Sequence, residues 1–150
     1  DADVLAFYFR IPYDHPFGHR GFSHSIFFAF LVGLAGFAAA RAFGTTRAVA
    51  SFFLFVSTVS HGLLDALTNG GLGIAFFAPF DNTRYFLPWQ VIEASPLTSS
   101  RFLSARGWAV IQSELRWVWL PVIALSMLLL ALRLGMIRLR KLTPSPPGRG

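Results

Sequence analysis

Three long apolar stretches divide the chain, and none of them contains Asp, Glu, Lys or Arg. They span residues 21–40, 48–64 and 117–132, with 20, 17 and 16 residues respectively. A helix that crosses a bilayer needs about 20 largely apolar residues, within a usable range of about 17 to 25. The first stretch meets this length, and the other two reach it with a flanking polar residue. The pattern predicts an all-α, polytopic membrane protein.

The breaks between these stretches predict how the helices are connected. Gly44 offers a helix stop after the first stretch, and Thr45 or Thr46 can cap the next helix, which predicts an antiparallel transmembrane hairpin. Residues 69–116 are rich in Gly, Pro and Ser and predict a long connection that re-enters or follows the membrane interface. A C-terminal transmembrane helix follows. We therefore expect one helical membrane domain over residues 1–142 and a disordered tail over 143–150.

Basic residues predict the orientation of these helices. If three helices cross, the hairpin turn and the C-terminal end lie on one side, which by the positive-inside rule is cytoplasmic. That side carries Arg41, Arg47, Arg138, Arg140 and Lys141. The last three residues form a small cluster after an apolar helix and favour contact with anionic membrane lipid. The long connection is then expected on the opposite side.

Composition narrows the class of protein further. Charged residues make up 13% of the 150 residues, about half of the roughly 25% found in soluble domains, so a disordered chain is excluded. Because there is no cysteine, a disulfide scaffold, a thiolate zinc site and a cysteine nucleophile are excluded as well. The net charge of +6 is spread thinly, without a basic face, and we expect no nucleic-acid partner. The chain begins without a methionine, so we expect a fragment or a processed product.

The few histidines and aspartates are concentrated in two places. The first is the N-terminal region, with Asp1 and Asp3 followed by Asp14, His15, His19 and His24. The second is the pair His61 and Asp65, which share one helix face because residues four apart lie one turn apart. His24 lies 17 residues before Arg41, and the pair lies 14 and 18 residues after Arg47. At about 1.5 Å per residue, all three reach a similar membrane depth, so we expect one site.

Two interpretations of this cluster remain open. Each group can be a satisfied interior polar residue, with His61 bonded to a carbonyl and Asp65 paired with Arg20. Alternatively, the groups hold a metal, because ionisable residues at such depth usually mark function. Imidazole and carboxylate ligands without thiolate suit zinc, manganese, non-haem iron or nickel, of which we expect zinc or manganese. The surplus of ligands allows one or two ions.

The motifs that carry this cluster are similar to those of a known family. DAD followed by GHRGFSHS, then SHGLLDALTNGG, then APFDNTRYFLPW, resemble the LexA-regulated, inner-membrane-associated metal-dependent hydrolases of the YdjM-like family, over about residues 1 to 90. The resemblance implies an integral protein of the bacterial inner membrane with metal-dependent hydrolase activity. The candidate metal ligands that it implies are Asp1, Asp3, His19, His24, His61 and Asp65. Two features depart from the family: its N-terminal helix with an early Thr-His is absent, and Ser23 stands where Thr is common.

The leading hypothesis is a membrane-embedded, metal-dependent hydrolase. It is expected to act on a phosphoester or another ester of a small-molecule or lipid-borne substrate. Asp1 or Asp3 is expected to complete a second metal site or to act as general base, and Arg20 to stabilise negative charge. Arg84 can assist Arg20, although a turn and an interface anchor are the favoured roles for Asp81 and Arg84. Asp14 and His15 are expected to be exposed. The alternatives are a metal or proton transporter module and a non-enzymatic scaffold.

Overall fold

The computed structural model describes residues 3–95 and 103–142. The chain divides into two compact units, Asp1–Pro96 and Leu97–Gly150, which are described separately. All regular elements within the described residues are helices, and β-pairing there is limited to isolated bridges. The all-α class is thus confirmed. The single domain over 1–142 stays a prediction, and the expected tail at 143–150 lies outside the described residues.

The first unit is organised around a pair of antiparallel helices. A short helix α1 (Val4–Tyr8) and a 3₁₀ turn (Phe22–His24) precede α2 (Ile26–Ala39) and α3 (Arg47–Ala66). The turn between α2 and α3 contains Gly44, whose φ of 61° lies in the left-handed region that favours glycine. The Thr46 hydroxyl then accepts a hydrogen bond from the Val49 amide and caps α3. The sequence signals for this turn are therefore found where they were expected.

Helix α2 begins five residues later than the apolar stretch does. The Ser25 hydroxyl accepts a hydrogen bond from the Phe28 amide, so Ser25 caps the helix and residues 21–25 precede it. Because this first part of the stretch lies outside the helix, α2 has only 14 residues. That is shorter than a helix that crosses the whole apolar layer needs.

Small residues bring α2 and α3 into close contact. Gly33 and Gly36 are buried on α2, where Ser51 of α3 lies against the first and Ala50 against the second. A Cβ atom at Gly36 would lie 2.9 Å from the Ala50 carbonyl oxygen and 2.7 Å from a methyl of Leu54. Close backbone approach through small residues is how membrane helices commonly pack.

The segment after α3 is irregular and packs against the rest of the first unit through backbone hydrogen bonds. Two isolated bridges join Thr68 to Ile92 and Ile74 to Tyr85. Ile74 is fully buried, as are Ala75 and Ala78. The predicted connection is thus an ordered structure over residues 67–95; its position at a membrane interface stays a prediction.

The second unit contains a long helix that begins earlier than predicted. Helix α4 (Ala105–Glu114) continues through one π-helical turn (Leu115–Trp119) into α5 (Leu120–Leu142). The apolar stretch begins only at Trp117, because charged residues such as Arg106 and Glu114 interrupt the apolar run without breaking the helix. Within the described residues, Ala105–Leu139 and Arg47–Ala66 are long and apolar enough to cross a membrane.

Candidate metal centre

Three side chains that the sequence separates by up to 41 residues meet at one end of the hairpin. His24, His61 and Asp65 each present a ligand atom, and these atoms all lie within 4.8 Å of one another. The Nε2 atom of His24 lies 2.9 Å from Asp65 Oδ2, and that of His61 lies 3.9 Å from the same oxygen. The two imidazole rings lie with their centroids 4.7 Å apart. This is the spacing of a group that can converge on one ion.

Local structure explains how these residues meet. His24 lies in the 3₁₀ turn that leads into α2, and the other two lie one turn apart near the C-terminal end of α3. Gly62 lets the two elements approach, because a Cβ atom there would lie 2.9 Å from the His24 carbonyl oxygen. The i, i+4 spacing and the glycine together therefore place the α3 ligands beside His24.

His24 is held by a carboxylate on each side of its ring. Asp3 Oδ2 lies 3.1 Å from Nδ1, while Asp65 Oδ2 lies 2.9 Å from Nε2. The Ser23 hydroxyl donates to Asp3 Oδ1 and lies 3.1 Å from His24 Nδ1. The Arg20 amide donates to Asp3 Oδ2 over 2.6 Å. Asp3 therefore fixes the ring of His24 from the side opposite Asp65.

The electrostatics follow from these bonds. Burial disfavours the charged form of Asp3, but hydrogen bonds from His19, His24 and Ser23 outweigh it, and the pKa of the carboxyl lies well below its usual range. Burial likewise disfavours protonation of His24, but its two carboxylate neighbours outweigh that effect and raise the pKa of the imidazole. The Asp3 carboxylate therefore stays ionised beside a buried imidazole.

Arg20 and His19 extend the cluster. The Arg20 guanidinium donates over 2.6 Å to the Gly70 carbonyl and lies 3.5 Å from Asp65 Oδ1, yet its buried Nε atom has no hydrogen-bond partner in the described part of the chain. His19 Nδ1 is also buried and lies 3.5 Å from Asp3 Oδ2, at the limit of a hydrogen bond. Two buried polar atoms thus remain available beside the cluster.

The cluster is open to a ligand on one side. The His61 side chain is 50% exposed and that of Asp65 is 21% exposed, whereas the His24 side chain is almost completely buried. A ligand can therefore reach the face formed by His61 and Asp65, while His24 forms the floor.

Arg84 takes a role that the sequence did not indicate. Its guanidinium donates to the carbonyl oxygens of His19 and Tyr13 over 2.9 Å, and to those of Gly73 and His15 over 3.3 Å. It thus ties the loop before the 3₁₀ turn to the segment after α3. In this arrangement Arg84 is a structural tie between backbone segments, which differs from the expected interface anchor and from a group that stabilises substrate charge. The arrangement depends on the paths of two loops, which residue spacing in the sequence does not reveal.

The remaining candidates divide clearly. Asp3, His19 and Arg20 join the three-ligand group, whereas Asp1 lies outside the described residues. Asp14 and His15 are exposed, as expected, and Asp81 accepts hydrogen bonds from Thr83 in an exposed turn. Ser23 had no predicted role in the site, although it directly precedes the candidate ligand His24 in the sequence.

The donor set fits a divalent metal. One imidazole nitrogen of His24 faces the other two ligands while Asp3 holds the second nitrogen, which is the usual way that a carboxylate orients a metal-binding histidine. The Nδ1 atom of His19, which lies 3.5 Å from Asp3 Oδ2, adds a further ligand atom nearby. The ligand roles themselves stay predictions.

Comparison with known proteins gives two matches. The family model described as YdjM inner membrane protein matches residues 1–138. The inner membrane protein YbcI of Escherichia coli strain K12 is 48% identical over 122 residues, which cover 81% of this chain and 70% of that protein. No solved structure matches the chain.

Proposed function

The chain belongs to the YdjM inner membrane protein family, and we propose that it is a metal-dependent hydrolase of a phosphoester or another ester at the membrane interface. The observation that carries the proposal is the convergence of His24, His61 and Asp65 within 4.8 Å at one end of the hairpin. The protein resides in the inner membrane. We further propose that the hairpin and the helix Ala105–Leu139 are its membrane-embedded parts.

In this proposal His24, through Nε2, together with His61 and Asp65, holds one zinc or manganese ion. When bound, such an ion supplies a Lewis acid that activates water and polarises an ester oxygen near neutral pH. Asp3 keeps the His24 ring in position through Nδ1. With His19 beside it, Asp3 also offers ligands for a second ion or a base that receives a proton.

Arg20 supplies positive charge next to the proposed ligands. Its guanidinium lies 3.5 Å from Asp65, and its Nε–H, which has no partner among residues 3–95 and 103–142, suits an anionic oxygen of a phosphoester. Buried donors that already point at developing charge need no reorganisation during reaction. Arg20 is therefore the residue that we propose for substrate charge stabilisation.

The position of the cluster favours hydrolysis over transport. A transport path needs polar groups near the midplane or on both sides of the membrane. Residues 26–39 of α2 contain no titratable group, and those of α3 lie at its two ends, with Arg47 at one and His61 and Asp65 at the other. A site confined to one end is better suited to chemistry on an interfacial substrate.

Metal analysis of the purified protein tests this proposal. After equilibration with zinc or manganese in detergent, the protein should retain about one ion per chain, and His61→Ala and Asp65→Ala should each lose it. His15→Ala, an exposed histidine outside the cluster, is the matched control and should retain the ion. Unchanged metal content in both site variants would refute the metal centre.

Hydrolysis is measured on the same samples. The loaded protein should release product from a chromogenic phosphodiester or from a carboxylic ester, and the release should stop in Asp65→Ala. Retention of the ion without product from either probe would leave a metal-binding membrane protein and overturn the hydrolase.

A further inference from the structure

An open groove with apolar walls lies beside the candidate metal centre. It is bounded by α2, α3 and the segment after α3, and its volume is about 530 Å³. This volume lies within the range of roughly 300–1,000 Å³ that is typical of small-molecule sites. The lining residues are Ile26 and six phenylalanines: Phe27, Phe30, Phe55, Phe76, Phe77 and Phe80. We refer to it as the phenylalanine groove.

The groove and the metal centre share parts of one framework. A Cβ atom at Gly62 would contact both the His24 carbonyl, at 2.9 Å, and the Phe76 ring, at 3.7 Å. The Ile26 amide donates to the Phe76 carbonyl over 3.0 Å, and the Ala75 amide donates to the Arg20 carbonyl over 3.2 Å. The segment that forms one wall of the groove is therefore fixed to the residues that frame the centre.

The groove also extends away from the centre along α3. Phe55 lies six residues before His61, which corresponds to a rise of about 9 Å along the helix. The groove thus extends from Phe76, which lies beside Gly62, into the apolar part of the hairpin. A ligand that occupies both would have a polar end at the cluster and an apolar end among the phenylalanines.

The rims of the groove remain exposed in the described part of the chain. Phe30 is 58% exposed, Phe77 52% and Phe80 81%. The protein that carries them resides in the inner membrane. With the hairpin embedded in the membrane, as proposed above, lipid hydrocarbon is the partner for this surface, and a groove with several walls holds one acyl chain longer than an open helix face does.

We infer that the phenylalanine groove binds one acyl chain of a glycerophospholipid, with the phosphoester of the same lipid at the His24, His61 and Asp65 cluster. The position of the phosphoester rests on the proposed function. The seat for the acyl chain rests on the groove itself. The buried Arg20 Nε–H, which has no partner within the described residues, meets the anionic charge of the phosphate.

Photo-crosslinking in lipid nanodiscs tests the seat without any need for catalysis. The protein is reconstituted with phosphatidylglycerol that carries a diazirine on its acyl chain, irradiated, digested and analysed by mass spectrometry. We expect adducts to concentrate on Phe27, Phe30, Phe77 and Phe80. Phe52 and Phe53, which are 70% and 67% exposed on α3 but do not line this groove, are the matched positions and should be labelled much less.

Variants make the test quantitative. Phe30→Ala with Phe80→Ala should reduce adducts at the remaining groove positions Phe27 and Phe77 severalfold, since two of the rings that wall the groove are removed. Phe52→Ala should leave them unchanged, and circular dichroism checks that both variants keep their helices. Labelling spread evenly over all exposed phenylalanines, or protein–protein crosslinks at the groove in place of lipid adducts, would overturn the inference.

The two proposals fail in different ways. If the unaltered protein shows no selective labelling of the groove but has normal metal content and hydrolyses a soluble phosphodiester normally, the acyl-chain seat alone is refuted. Selective groove labelling in a protein that retains no metal refutes the proposed function and leaves a lipid-binding groove. If both hold, Phe30→Ala should raise KM for a long-chain phospholipid, whereas Phe52→Ala, outside the groove, should leave it unchanged.

Discussion

The two ends of the α2–α3 hairpin consist of the same apolar helices but are stabilised in different ways. At the turn end, residues 40–47, the contacts are local. Gly44 takes a left-handed φ, and Thr46 caps α3 by accepting a hydrogen bond from an amide three residues further on. At the site end, where α2 begins and α3 ends, Asp65 contacts His24 and Arg20, which lie 41 and 45 residues away. Polar groups that are expensive to bury are thus concentrated where a simple turn would not need them, which is typical of a functional site.

The largest effect is expected when the charge at the site end is removed. Asp65→Ala leaves the buried guanidinium of Arg20 and the imidazole of His24 without their shared carboxylate. Breaking a buried pair in this way costs about 3–5 kcal/mol, so the free energy of unfolding of the metal-free protein should fall by about that amount. Denaturant titration in detergent measures it.

The exposed Asp81 provides the control for that experiment. Asp81→Ala removes only a local turn contact with Thr83 and should change the free energy of unfolding by less than about 1 kcal/mol. Equal losses in the two variants would show that the polar cluster carries no special share of the stability, and the contrast between the two ends would disappear.

Removing the Arg84 guanidinium should have the next largest effect. Arg84→Gln loses hydrogen bonds to four backbone carbonyls, two of them from Tyr13 and His19 at 2.9 Å. Carbonyls that lose a charged donor typically cost about 1.5–3 kcal/mol in total once water replaces part of the loss. Thermal unfolding should therefore show a clear decrease in Tm.

The exposed Arg41 at the turn end is the matched position for Arg84. Arg41→Gln should leave Tm within the error of the measurement, because exposed substitutions away from specific contacts change stability by about 0.5 kcal/mol or less. If Arg84→Gln also left Tm unchanged, the loop before the 3₁₀ turn would not depend on this guanidinium.

Glycines at the two ends separate packing from chemistry. A Cβ atom would lie 2.9 Å from a backbone carbonyl oxygen both at Gly36, near the turn end, and at Gly62, at the site end. Gly36→Ala and Gly62→Ala should each destabilise by about 1–3 kcal/mol, because overpacked atoms must shift. Only Gly62→Ala should also weaken metal binding, since the carbonyl that it displaces belongs to His24.

Gly135 on α5 shows what the same substitution does without a crowded neighbour. A Cβ atom there meets nothing within 4 Å, so Gly135→Ala should be neutral or stabilise by up to about 1 kcal/mol through helix propensity. Metal affinities that fall equally in Gly36→Ala and Gly62→Ala would contradict a site confined to one end of the hairpin.

The sequence predicts this centre where it depends on helical periodicity, and fails where it depends on loop paths. The meeting of His61 and Asp65 with His24 follows from i, i+4 spacing and from counting residues on either side of a short turn. The assumption that His24 lies within the helix was nevertheless wrong, because Ser25 caps α2 and the helix begins after it. A hydroxyl three residues before a free amide decides the helix start more strongly than the hydropathy of residues 21–25.

The contacts of Asp3 and Arg84 have no comparable signal in the sequence. Asp3 reaches Arg20 and Ser23 through a loop, and Arg84 bonds to carbonyls 65 to 71 residues away, at His19 and Tyr13. Neither helical nor strand periodicity constrains such paths, and a carbonyl acceptor is present at every residue, so residue type does not identify the partner. Only the folded arrangement shows that Arg84 holds the loop in place.

The smallest effect compares the two helix caps. Ser25 and Thr46 each accept a hydrogen bond from an amide three residues ahead, at 3.0 and 3.3 Å, but Ser25 is buried and Thr46 is exposed. Ser25→Ala should cost about 1–2 kcal/mol because no water replaces the lost acceptor, whereas Thr46→Ala should cost about 0.5–1 kcal/mol. Since Ser25 follows His24 directly, its loss should also increase amide hydrogen exchange at Phe28 and Ile26 and reduce metal affinity. If exchange rises only locally and metal affinity is unchanged, the cap supports the start of α2 but not the position of His24.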